Sequence, residues 1–396
     1  MPPASIKPGL EQRAWRYAFW ASLIIVVLAL LVRVMAYPVT TDDYRYFLQP
    51  WFSALASAPG LSAFQTPFSN YAPLYLYLIK VLTWLPVDSL VSLKTLSVIF
   101  DLVLASLAAI IAQKKSLVFA SVLALPTVII NSALWGQSDS LYATFVLLSL
   151  WLIIRDKPLG ATLAFAISFC FKVQSLFFLP VLAGYLLRAR GRWLYLFLIP
   201  LIYVLSVLPA WLGGGSFSEL LLVYANQANE YQALVLSAPT VYAFIERLTL
   251  TEGTRSLAVF SGVVVAAIAA LALVVLLRRS RESLTAPRAV LISLFCVIVI
   301  PFLLPRMHER YFYLADVLSV LYVYYYPRQW HVPAAVLLVS FLAYLPYLST
   351  AIPALKYLVV DFRYLAALLL LVILSLLPQI IAHFFPQVAV APEPQA

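Results

Sequence analysis

Asp42 and Asp43 are adjacent carboxylates in the stretch Ala36-Tyr-Pro-Val-Thr-Thr-Asp-Asp-Tyr-Arg-Tyr-Phe, directly after the first long apolar run of the chain. A carboxylate at a bilayer boundary loses hydration unless it is solvated, paired or used. Held within hydrogen-bond reach of a hydroxyl, it can take the proton as that oxygen attacks carbon, so the pair is a candidate general base. Other polar groups interrupt the apolar sequence in the same way. Trp135-Gly-Gln-Ser-Asp139 offers Gln137 and Asp139, and Phe171-Lys-Val-Gln174 offers Lys172 and Gln174. Pro305-Arg-Met-His-Glu-Arg310 offers Arg306, His308, Glu309 and Arg310. Lys and Arg are natural donors to phosphate oxygens, and the guanidinium fork matches them in shape. Arg306 and Arg310 fall one turn apart on one side if a helix includes them.

Each group also has a plain structural use. Thr41, Asp42 or Asp43 can cap an interfacial helix running through Phe47 and Trp51, and Ser138 or Asp139 can cap a helix beginning at Leu141. Lys172 has no acid neighbour in sequence and is expensive in an apolar setting unless it snorkels. Glu309 can pair with His308 or with an arginine. The amide-rich Tyr224-Ala-Asn-Gln-Ala-Asn-Glu-Tyr231 suits sugar recognition or an ordinary solvated loop. Tyr322-Val-Tyr-Tyr-Tyr326 reads as an aromatic belt at a membrane boundary. Gly213-Gly-Gly215 is a turn rather than a phosphate loop, because no Lys-Ser/Thr follows. Cys170 and Cys296 lie in apolar runs without metal-ligand spacing and read as buried structural residues.

The elements that must position these groups are membrane spans. The chain has 396 residues, 64% apolar and 11% charged, with mean hydropathy +0.97. Soluble domains carry about a quarter charged residues, so this is a polytopic membrane protein. Its net charge of +10 comes largely from short basic clusters between apolar runs, the pattern of loops facing the cytoplasm and not of a nucleic-acid interface. Lys7, Arg13 and Arg16 precede the run Tyr17 to Met35, which reads as a retained signal anchor with its start in the cytoplasm. Lys114-Lys115, Arg155 with Lys157, Arg188-Arg190-Arg192, Arg278-Arg279-Arg281 and Arg328 then mark successive cytoplasmic turns. Two apolar runs separate neighbouring clusters, so every turn between them faces outward. Both aspartates, Trp135–Asp139, Phe171–Gln174, the loop 214–238 and Pro305–Arg310 all land on that face. Parity requires Pro73 to Leu85 to stay on the outer side, as an interfacial or half-inserted helix. The result is 12 spans with both termini cytoplasmic, a first outer loop over about residues 37–90, a single transmembrane domain over residues 1–385, and a disordered tail from Pro386 to Ala396.

In this order and on this face the motifs resemble the prokaryotic membrane glycosyltransferases related to GPI mannosyltransferase II. The resemblance rests on Tyr44-Arg-Tyr-Phe-Leu-Gln-Pro-Trp51 after an acid, Tyr71-Ala-Pro-Leu-Tyr-Leu-Tyr, Trp135-Gly-Gln-Ser-Asp139, Lys172-Val-Gln-Ser and Arg306-Met-His-Glu-Arg310-Tyr-Phe. It covers about residues 17–330. It implies an all-α GT-C fold whose first outer loop bears the catalytic acid. It also implies transfer of a hexose, commonly mannose, from a polyprenyl-phosphate donor to an acceptor hydroxyl on the outer face, with inversion. On that basis Asp43 is the base and Asp42 its near alternative. Lys172, Arg306, Arg310 and His308 bind the donor phosphate, and Asp139, Gln137, Gln174, Glu309 and Tyr44 contact substrate. The expected partners are the lipid-linked donor, a glycan, glycolipid or protein acceptor, and membrane lipids. Asp42, Asp43, Asp139 and Glu309 offer oxygen ligands that a divalent cation, Mg or Mn, could use; metal-independent neutralisation by Lys172 and the arginines is the preferred expectation. A prokaryotic plasma membrane is the expected location. A lipid-sugar transporter or flippase, and a polymerase or ligase using a lipid-pyrophosphate donor, are the competing classes.

Overall fold

The computed structural model describes residues 8–113, 115–228, 230–246, 248, 250–280 and 282–385. Lys7, Lys114, Asn229, Arg281 and the Pro386–Ala396 tail lie outside the described residues, as do the side chains of Arg13 and Lys115. The chain is nearly all helix. In order come α1 (Pro8–Ala36), α2 (Gln49–Ser57), α3 (Pro73–Leu82), α4 (Ser89–Ala112), α5 (Lys115–Leu123), α6 (Pro126–Ile129), α7 (Asp139–Ile154), α8 (Pro158–Phe171) and α9 (Leu179–Leu186). There follow α10 (Leu198–Leu212), α11 (Phe217–Leu221), α12 (Val223–Ala228), α13 (Glu252–Arg279), α14 (Ala286–Leu303), α15 (Tyr313–Tyr325), α16 (His331–Ala351) and α17 (Phe362–Phe384).

Among the described residues seven helices are long and apolar enough to cross a membrane, or eight if the segments Ser116–Leu123 and Pro126–Trp135, bent by 57°, count as one. The bend falls at Pro126, which cannot donate into the preceding turn. Burial separates two kinds of helix. Only 17% of the apolar window is buried in α1 and in α13, against 83% in α14. The first two therefore present apolar surface to lipid, and α14 runs through the interior. α7 has 16 residues, about 24 Å at 1.5 Å per residue, and is apolar around its circumference. It packs against α4, α8 and α14 in the core.

Alternating connections give the bundle two ends. At one end the basic turns meet. Arg192 pairs with Asp156 at 2.6 Å, Arg188 donates to the Ser280 carbonyl at 3.0 Å and Arg288 to the His383 carbonyl at 2.9 Å. The arginine beside it holds the Asp156 carboxyl below its usual range. The Tyr322–Tyr326 run also lies here. It forms more than a lipid-facing belt, because Tyr322 is buried with its hydroxyl on Gln379, and Tyr325 donates to the Ile111 carbonyl at 2.7 Å. The opposite end carries the polar motifs. The first connection there folds into a helical run, Tyr44–Leu48 in π form continuing as α2, and then α3. α3 has 10 residues, about 15 Å long, too short to cross a core of about 30 Å. The loop after α10 folds into α11, α12 and a short strand β1 (Val235–Leu236), which pairs in parallel with β2 (Met307–His308).

Candidate active site

Asp43 sits where the chain leaving α1 turns into the π-helical segment. Its carboxylate Oδ2 accepts from the indole Nε1 of Trp135 at 2.9 Å and from the Gln137 side-chain amide, while its backbone N–H donates to the Tyr347 hydroxyl at 2.8 Å. Both side-chain donors fall on Oδ2, so Oδ1 is the oxygen that neither of them occupies. Asp42, by contrast, makes no side-chain hydrogen bond or ion pair among the described residues. Nor does the side chain of Asp43 cap the helix that begins beside it.

The turn that supplies Trp135 and Gln137 is built for the task. A π-helical turn, Ile130–Trp135, is ended by Gly136 at φ +81°, a conformation that suits glycine. Thr41 donates to the Trp135 carbonyl at 3.2 Å, tying the acid segment to this turn. Gln137 presents its Nε2 to Asp43 and its Oε1 to the Lys172 ammonium at 3.5 Å, the one amide orientation that serves an anion and a cation together. Lys172 ends α8 in extended conformation, before the 3-10 segment Val173–Phe178 and α9. Its partner, invisible in sequence, is Asp139 at 2.6 Å, and both side chains are almost fully buried. Asp139 opens α7, where the helix dipole favours an anion, and also accepts from Asn131 at 2.7 Å. No side-chain cap is made at Ser138.

The second wall comes from the segment after α14. Arg306 is not on a helix with Arg310. It adopts φ +60°, its N–H bonds the Leu234 carbonyl at 2.7 Å, and the chain continues as β2. Strand pairing with the outer loop has captured the backbone that a helix would need. Arg306 donates to the Ala228 carbonyl at 2.8 Å. Glu309 is buried and bonded to Arg310 at 3.1 Å, with the His308 imidazole 3.8 Å away. Burial alone would raise the Glu309 carboxyl, but the nearby His308 imidazole and the Arg310 charge outweigh it and hold it below its ordinary value. Glu309 is therefore ionised at neutral pH. The Arg310 guanidinium lies 5.5 Å from the centre of the Trp135 ring, and His308 is edge-on to Tyr231 at 5.3 Å.

Three adjoining cavities open among these groups. The first, about 210 Å³, is lined by Asp43, Gln137 and Arg310 together with Phe47, Trp51, Tyr71, Tyr231 and Tyr347. A narrower one, about 80 Å³, contains Lys172, Gln174, Arg310 and His308. The third, about 360 Å³, is mainly apolar: Val173, Leu176 and Phe177 face Val259 and Val263 of lipid-exposed α13, with Arg306 and His308 at the polar end. Tyr231 and His308 line all three, so the cavities share a wall. Tyr224 and Gln227 of α12 line the second and third, and Glu230, which accepts from the Asn70 side-chain amide at 2.9 Å, lines the second as well.

Of the candidate residues, Asp43, Gln137, Asp139, Lys172, Gln174, Arg306, His308, Glu309 and Arg310 thus gather at one end of the bundle. Tyr44 does not line these cavities. It is buried, with its hydroxyl on Ser89 at 2.7 Å, and serves as a packing anchor. Sequence reading missed Trp135 and Tyr347 as groups that hold the acid; an indole or phenol among so many aromatics gives no signal until the fold brings it to a carboxylate. Among the described residues no three His, Cys, Asp or Glu side chains come together as a metal-binding group, so the four candidate oxygen ligands do not form a protein cage. No protein-family model matches the chain, and no curated protein matches it.

Proposed function

We propose that this protein is a GT-C-type membrane glycosyltransferase that moves a hexose, with mannose the first candidate, from a polyprenyl-phosphate donor to an acceptor hydroxyl, with Asp43 as general base. The observation that carries the reading is the order of surfaces across three adjoining cavities: carboxylate, then cations, then an apolar cleft beside a lipid-exposed helix. A lipid-linked sugar phosphate has that order of chemistry. Its prenyl chain matches the cleft between α13 and Val173–Phe177, and its phosphate matches Arg306, His308 and Arg310. The hexose then falls toward Asp43, where aromatic walls suit the faces of sugar rings.

In this mechanism Asp43 takes the proton from the acceptor hydroxyl as its oxygen attacks the anomeric carbon. The bond from that carbon to the phosphate oxygen breaks, its electron pair stays on the lipid phosphate, and the configuration inverts. Arg310 and its neighbours stabilise the departing charge. Trp135 and Gln137 fix the carboxylate, so no reorganisation is needed in the transition state. Lys172 acts mainly through Gln137 and Asp139, which occupy its ammonium. The full topology proposed is 12 spans, namely the seven long helices, the bent pair Ser116–Leu123 with Pro126–Trp135, α7, α8, Val173–Leu186 and α15, with a cytoplasmic start in a prokaryotic plasma membrane and the site on the outer face.

The test is transfer of labelled hexose from a polyprenyl-phosphate donor by the purified protein in liposomes, comparing wild type with Asp43→Asn. Loss of about 10²–10⁴-fold in turnover is expected for removal of a general base. Undiminished transfer by the variant would refute the base assignment. Failure of the wild type with every monophosphate donor would favour a flippase or a pyrophosphate-dependent polymerase.

A further inference from the structure

Lys94 of α4 is 0% exposed and has no acid partner among the described residues. Its ammonium donates instead to three backbone carbonyls: Ala36 at 3.2 Å, Tyr37 at 3.0 Å and Val39 at 2.7 Å. These three contacts match the three N–H donors of an ammonium. The carbonyls belong to the chain leaving α1, where a helix end has unsatisfied oxygens and a dipole that favours a cation. Pro38 in this turn has no N–H to close it. The stem of the same lysine runs along Gly136, whose position for a Cβ lies 3.7 Å from Lys94 Cγ. One side chain therefore touches the turn that leads to Asp43 and the turn whose Trp135 and Gln137 bind Asp43. Two further α4 contacts fix the same segment, Thr95 to the Tyr37 hydroxyl at 3.2 Å and Ser89 to the Tyr44 hydroxyl at 2.7 Å.

A buried ammonium carries a large desolvation penalty that a methionine filling the same space would avoid. We propose that Lys94 is a positioning residue for Asp43: it sets the path of Tyr37–Thr41 so that the carboxylate meets Trp135 and Gln137. Its catalytic consequence rests on the glycosyltransferase reading above; its structural part does not. Lys80 is the matched comparison. It is also buried and also binds only carbonyls among the described residues, those of Leu55 and Ala58 at 2.7 Å each, but at the far end of α2.

The experiment compares Lys94→Met and Lys80→Met by hydrogen exchange of residues 37–44 and by steady-state transfer. In Lys94→Met the 37–44 segment is expected to exchange at least about tenfold faster, with the rest of α4 protected as in wild type. Turnover should fall about 100-fold through misplacement of the base, with donor KM changed by no more than about twofold. Lys80→Met should keep turnover within about twofold of wild type. Unchanged exchange over 37–44, or an equal turnover loss in both variants at equal folded fraction, overturns the proposal. If Lys94→Met yields no folded protein, Lys94→Gln, which retains two donors, is judged by the same two readouts. If wild type transfers no hexose, the functional reading falls while the exchange rates still decide the role of Lys94.

Discussion

Lys172 and Asp139 illustrate how a residue changes meaning between sequence and structure. In sequence Lys172 is an unpaired cation in an apolar run; in the fold it is half of an ion pair at 2.6 Å with side chains 5% and 2% exposed. Breaking such a pair from one side leaves a buried charge, at about 3–5 kcal/mol. Lys172→Met is therefore expected to destabilise the protein by that order in denaturant or thermal melts in detergent. The double variant Lys172→Met/Asp139→Asn should regain most of the loss, and equal destabilisation of the single and double variants would show that the orphaned Asp139 charge is not its source. The acid-bearing stretch, the Trp135–Asp139 turn and the Arg306–Arg310 segment were legible because polar residues are conspicuous in apolar sequence. Lys94 was not, since its partners are carbonyls about 55 residues away, and backbone oxygens leave no mark in a sequence.

At the scale of elements, apolar runs and proline punctuation located most helices, including the short α3. Irregular helix was beyond reach. The π-helical turns Tyr44–Leu48 and Ile130–Trp135 flank the acid and its donors, each holding an extra residue per turn that no apolar period records. Nor did the sequence announce that Arg306 would leave the helical region to join a two-strand ladder. Close helix approach is likewise visible only in three dimensions. A Cβ added at Gly184 of α9 would lie 2.6 Å from Leu277 Cβ of α13, an atom bonded directly to the backbone that cannot swing away. Gly184→Ala should therefore cost about 1–3 kcal/mol by overpacking, seen as a lower melting temperature. An unchanged melting temperature would mean that the two helices separate freely.

For the whole molecule, the two-ended arrangement of basic and motif-bearing turns makes sidedness measurable. Cys170 and Cys296 are buried, so single cysteines introduced elsewhere can be labelled against a quiet background. In intact cells, Ser218→Cys is expected to react with an impermeant maleimide added outside, and Lys157→Cys only after permeabilisation. The reverse pattern would invert the proposed topology. Basic clusters made this organisation readable before any coordinates, because charge is costly in lipid and its placement obeys a simple asymmetry. The buried contacts that hold the bundle obey no such rule. Arg33 of α1, 1% exposed, binds Asp101 of α4 at 2.9 Å and the Leu123 carbonyl at 2.8 Å. During synthesis α1 therefore emerges well before its counter-charge has been translated. Asp101→Asn is therefore expected to weaken retention of α1 in the membrane, measured as a lower inserted fraction of that helix.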